Sequence, residues 1–129
     1  MPRDLTLGDV LARLHQVHQD MAYSQRMLAG ARDAEVQACE ALRLATARAV
    51  LSEDCPRPKR GENGVTVADR DAWVDQQVAT ERMAAAVAEA HRKAAEDHLR
   101  VTRDQASTVQ SMSALMRAEM QLTQTPGAA

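Results

Sequence analysis

A chain of 129 residues is long enough for one domain, and a net charge of −2 excludes a strong global field for DNA or RNA. The apolar residues, 45% of the chain, include 25 alanines and seven methionines but one tryptophan, one tyrosine and no phenylalanine. Alanine favours helix because it loses no side-chain entropy, yet it buries little area, so helix propensity is high and core-filling bulk is low. Cys39 and Cys55 make no disulfide framework and match no zinc or redox spacing. The N-terminus lacks a signal-peptide pattern, and no stretch approaches the ~18 apolar residues that span a bilayer. A cytoplasmic setting without membrane contact is the simplest expectation.

The first helix is expected over about residues 6–53. Thr6 can cap it, Asp9 stands at the capping-box spacing, and Leu5 and Val10 occupy the positions of a hydrophobic staple. Leu7, Val10, Leu11, Leu14, Val17, Met21 and Leu28 then follow helical spacing, and Ala31, Ala38, Leu42, Ala45 and Ala49 continue the stripe. Gly30 costs roughly 1 kcal/mol against Ala and leaves room for local bending.

Pro56 disfavours helix at the residue before it, so a loop is expected over about residues 54–65. Cys55 to Gly64 contains two of the four prolines and two of the five glycines. The loop also carries the basic residues Arg57, Lys59 and Arg60, which read as a solvated turn or, more sharply, as a basic tip for an acidic group. Thr66 and Asp69 repeat the capping-box spacing and open a second helix, expected over about residues 66–122, with a frayed tail over 123–129.

The fold class expected from this pattern is all-α, a long antiparallel two-helix hairpin forming one domain over residues 1–129. Helices of about 48 and 57 residues would be roughly 70 and 85 Å long. Two such helices cannot enclose a core, so assembly into a helical bundle or coiled-coil-like oligomer is expected. Ser24, Glu35 and Thr102 fall near the seam and argue against one uninterrupted coiled coil.

No phosphate loop, metalloprotease motif or nucleophile elbow is present, and no catalytic residue or cofactor is expected. The histidines are the one cluster with ligand chemistry. A turn near residues 58–60 would bring His18 opposite His98 with His15 nearby, a candidate zinc set. The Glu-x-x-His pairs of di-metal bundles are missing, so interface or register roles are the stronger reading and no metal is assigned. Cys39 reads as a small packed hydrophobe and Cys55, at the loop edge, as the more accessible thiol. Arg92, Lys93, Arg100, Arg103 and Arg117 are interrupted by Asp97, Asp104 and Glu119, and aromatic platforms are lacking, so direct nucleic-acid binding is at most weak. A partner-binding or oligomer face is expected in an exposed apolar stripe of Val109, Met112, Leu115, Met116 and Met120, with Trp73 as the large anchor near the loop.

Trp73 is followed by Val74 and Asp75, which departs from the Trp-x-Gly turn of the secreted helical hairpins. The region from Ala49-Val50-Leu51-Ser52 through Thr66-Val67-Ala68-Asp69-Arg70, Thr80-Glu81-Arg82, Leu99-Arg100-Val101-Thr102-Arg103, Gln110-Ser111 and Arg117-Ala118-Glu119 resembles small all-helical early-region proteins of bacteriophages that infect actinobacteria and other Gram-positive hosts. The resemblance covers roughly residues 40–122. It implies a non-enzymatic accessory role in phage DNA replication or recombination, in the host cytoplasm, with itself and a phage or host protein as partners. The alternatives are an inhibitor of a host defence or regulatory protein and a histidine metal site in a four-helix bundle.

Overall fold

The computed structural model describes residues 5–60 and 64–124, and every regular element among them is helical. Helix α1 runs Leu7–Leu51, α2 Val67–Gln77 and α3 Ala79–Gln124. Both sequence-marked starts are capping boxes. Thr6 and Asp9 exchange bonds of 3.0 and 3.2 Å, and Thr66 and Asp69 exchange bonds of 2.9 and 3.1 Å. In each box the backbone N–H of the threonine, then its hydroxyl, holds the aspartate below the usual carboxylate range. A depressed carboxylate stabilises the folded state above its unfolded value, near pH 4, and loses that contribution as pH falls through the folded value. The helix passes through Gly30 without interruption, and a Cβ there would meet nothing within 4 Å.

The second expected helix differs from the reading of the sequence. It is two elements, α2 and α3, with Val78 between them at φ −105° and ψ 15°. Val78 N–H still donates to Val74 O at 3.1 Å, and Arg82 N–H donates to Val78 O at 2.9 Å. Arg82 also reaches back to the Asp75 carboxylate at 2.7 Å. No glycine or proline marks this offset. Val78 is the most buried member of its cluster, and the backbone departs from helix where that side chain is packed. The residues of the expected tail beyond 124, and Gly61 to Asn63 of the loop, lie outside the described residues.

The chain divides into two compact units, Met1–Leu28 with Ala95–Ala129, and Ala29–Ala94. In each unit α1 packs antiparallel against the later helix, as the all-α two-helix reading expects. In the first unit the inward positions of α1 are Val10, Leu14, Val17, Met21, Ser24 and Leu28, and those of α3 are Leu99, Thr102, Ala106, Val109, Ser113 and Met116. In the second unit they are Ala31, Glu35, Ala38, Leu42, Ala45 and Ala49 against Val74, Val78, Glu81, Ala85, Ala88 and Arg92. Every step is an alternating three or four residues, the spacing of a heptad seam. The polar residues expected to break that seam are part of it. Ser24 and Thr102 are 1% and 3% exposed and lie 3.3 Å apart, oxygen to oxygen. Thr102 already donates its proton to His98 O at 2.9 Å, so the Ser24 hydroxyl donates to Thr102 Oγ1. In the second unit Arg92 pairs with Glu35, both about a quarter exposed. Polar pairs inside a seam fix register at some cost in stability.

Near the loop, Ala49, Cys55, Val74 and Val78 form the core cluster of the second unit, with Leu42, Ala45 and Trp73 packed against it. The chain leaves α1 through two turns, Ser52 N–H to Ala49 O at 3.2 Å and Cys55 N–H to Ser52 O at 3.1 Å. Lys59 N–H then donates to Val65 O at 3.1 Å. The pairing of Ser24 with Thr102 gives a register later than the one a turn centred on residues 58–60 would set.

Candidate interaction surface

Among the described residues of the first unit, two grooves flank the seam and differ in chemistry. One, about 470 Å³, is lined by Arg13, Gln16 and Val17 of α1 and by Val101, Gln105, Thr108 and Met112 of α3, with Asp104 and Val109. The other, about 290 Å³, lies beside His18, Ala22 and Gln25 of α1 and Ala106 and Gln110 of α3. The linings show which outward positions share a side. Arg13, Gln16, Tyr23 and Met27 fall on the flank of the larger groove, at heptad spacing from one another. On α3 that flank is Val101, Gln105, Thr108, Met112, Leu115, Glu119 and Leu122, again alternating three and four residues. It is a second heptad stripe, offset from the inner seam. Val101, Leu115 and Leu122 are 54%, 71% and 78% exposed. The opposite flank carries His15, His18, Gln25, Arg100, Arg103, Gln110 and Arg117, with Leu11 as its one large apolar side chain among the described residues.

The expected apolar stripe is therefore divided between two faces. Val109 is buried at 7% and belongs to the seam against α1, which corrects its reading as an exposed position. Met116 is half-buried at the next seam position but one, Met120 follows on the same spacing with 40% exposure, and Met112 borders the larger groove. Leu115 alone of the five points fully outward. The i, i+4, i+8 series of methionines drifts across the helix instead of tracing one face, because 3.6 residues make a turn. Val101, Leu122, Tyr23 and Met27 were missed, and the signal for them was a second alternation of three and four residues behind the first.

Trp73 is half-buried and packs on the cluster of Ala49, Cys55, Val74 and Val78. The two thiols exchange their expected roles. Cys55 is 6% exposed within that cluster, its thiol 3.7 Å from Pro56 O, while Cys39 is exposed on α1. The tight turns after Leu51 fold Cys55 back onto α1. Arg57, Lys59 and Arg60 are all exposed.

The histidines are not brought together as the sequence suggested. With Ser24 facing Thr102, His18 lies beside Ala106 and Gln110, not His98. His15 Nε2 accepts from the Gln19 side-chain amide at 3.2 Å along the same helix. Among the described residues no three His, Cys, Asp or Glu side chains converge as a metal set.

The surface charges are arranged as local pairs. Arg43 pairs with Glu40 at 2.6 Å and Lys93 with Glu89 at 3.0 Å, and these partners hold both carboxylates below their usual range. Such exposed pairs contribute little to stability. No helix among the described residues is long and apolar enough to cross a membrane.

The fold and its surfaces define a helix-pair protein whose recognisable chemistry is helix packing. No family model, curated protein or solved structure matches the chain.

Proposed function

We propose that this protein is a non-enzymatic interaction protein that works as a self-associated helical bundle through helix–helix contacts. The observation that carries the reading is the seam itself. Each unit buries one heptad stripe per helix and leaves a further apolar stripe on the first unit in water. Two-helix packing removes too little surface to hold alanine-rich helices together well, and assembly supplies the rest. The setting we propose is phage DNA replication or recombination in the host cytoplasm, where the protein would hold a partner protein. That part rests on the resemblance of residues 40–122 to phage early-region proteins.

Sedimentation equilibrium tests the reading. The expected result is a mass at an integral multiple, two or more, of the 14.1 kDa chain. A single species at the chain mass across micromolar to millimolar concentration would contradict it.

A further inference from the structure

Resting on the reading of a protein that works through helix–helix contacts, we propose that the larger groove of the first unit holds a basic amphipathic helix of the partner protein. The occupant lies along the groove with its apolar side chains turned in. Its lysines and arginines run along the edge that carries Asp20, Asp104 and Glu119.

Shape selects a helix. The groove runs between α1 and α3, and its α3 wall is built from Val101, Gln105, Thr108 and Met112. Those positions step by alternating four and three residues, the pattern that receives another helix as knobs into holes. From Val101 to Met112 the wall is about 17 Å long, or about three helical turns. Val17 and Val109 of the seam also line it, and Met112 beside them re-packs readily around a new side chain. Grooves that take the apolar face of an amphipathic helix have this form.

Charge selects the kind of helix. Along α3 basic and acidic residues are mixed in sequence, but the helix sorts them in space. Arg100, Arg103 and Arg117 fall on the opposite flank, while Asp104 lines the groove and Glu119 continues its side. Helix α1 adds Asp9 and Asp20, and Arg13 is the one arginine or lysine at the described heptad positions of this flank. The charge of Arg13 acts on Asp9, whose carboxylate already holds Thr6. Asp20 accepts from the neutral Gln16 amide at 2.9 Å, and among the described residues no cation pairs with Asp104 or Glu119. An apolar groove edged by carboxylates is complemented by apolar side chains with lysine or arginine beside them. The stems of those residues also cover apolar surface while their charges reach the carboxylates. A second copy docked here would set the same carboxylates against one another, and a nucleic acid or anionic lipid surface would set phosphates against them, so each is opposed.

Two synthetic peptides of about three heptads, alike in leucine at the a and d positions, serve as probes: one has lysine at e and g, the other glutamate. In fluorescence polarisation with the full chain, the lysine peptide is expected to bind about tenfold or more tighter than the glutamate peptide. Asp104 and Glu119 are both exposed, so Asp104→Asn/Glu119→Gln is expected to keep wild-type helicity and to weaken the lysine peptide about fivefold. Val101→Ser/Met112→Ser is expected to weaken it about tenfold with the charges unchanged. Gln25→Ser/Gln110→Ser on the opposite flank is expected to leave its affinity within about twofold of wild type. Equal affinity for the two peptides, or undiminished affinity in Asp104→Asn/Glu119→Gln, overturns the proposal. So does a wild type that binds neither peptide; if Val101→Ser/Met112→Ser then lowers the sedimentation mass, the flank belongs to a second copy. Self-association stands or falls separately, on the mass of the wild type.

Discussion

The Glu35→Leu variant is expected to lose about 2–3 kcal/mol of unfolding free energy, and the Glu35→Leu/Arg92→Leu variant to recover that loss or exceed wild type. Glu35 and Arg92 occupy inward seam positions on α1 and α3, each about a quarter exposed. Removing the carboxylate takes from the guanidinium its partner across the seam, which is the costly half of breaking such a pair. Replacing both members substitutes a hydrophobic layer that needs no compensation, and it adds bulk where the neighbours are Ala31, Ala38, Ala85 and Ala88. The second consequence concerns specificity. With the pair gone, the alanine-lined seam of the second unit has fewer features that forbid a shift by one heptad. Urea unfolding of the two variants measures the energies. An equal loss in the single and double variants would show that the pair is net stabilising and that the seam does not accept leucine.

Val78→Asp is expected to unfold the second unit, with a cost of about 4 kcal/mol or more, comparable to the whole stability of a small domain. Val78 is 1% exposed and lies with Ala49, Cys55 and Val74, where a carboxylate would have neither water nor a cation. Val78→Ala removes two methyl groups from the same site and is expected to cost about 1.5–2.5 kcal/mol. The ordering matters because the core is thin: it is built from alanine, cysteine and two valines, with Trp73 laid over it. Loss of Trp73 fluorescence asymmetry together with helical circular dichroism reports the unfolding. A Val78→Asp protein with wild-type helicity and melting would remove the cluster from the account of what joins α1 to α2.

Much of this fold was legible in the sequence because it is written in local signals. Thr6 with Asp9 and Thr66 with Asp69 identify both helix starts, and Pro56 ends the first helix within a few residues of Leu51. What the sequence hid depends on residues far apart in the chain. Ser24 and Thr102 look like faults in a seam until each is seen to be the other's partner, and the same holds for Glu35 and Arg92. The pairing of histidines was misjudged for a related reason. It depended on the register, which the pairing of Ser24 with Thr102 shows and no local signal in the chain announces. Cys39 and Cys55 were read by their chain neighbours alone, whereas the turns after α1 place Cys55 in a core and the helix leaves Cys39 in water. The offset at Val78 carries no breaker residue and was invisible for that reason.

The surface was half legible. Leu115 was found from its apolar character, but the reading grouped it with Val109 and Met116, which face α1. Separating inward from outward positions needed the burial of the seam. Once that seam is fixed, the outward stripe through Val101, Met112, Leu115 and Leu122 follows from helical geometry.

We propose that this chain completes its fold by assembling with itself. Association that accompanies folding makes the thermal midpoint depend on protein concentration. Melting followed by circular dichroism over a hundredfold range of concentration tests this most directly. The expected midpoint rises by several degrees from the lowest concentration to the highest. A cooperative transition at one unchanging temperature would contradict it.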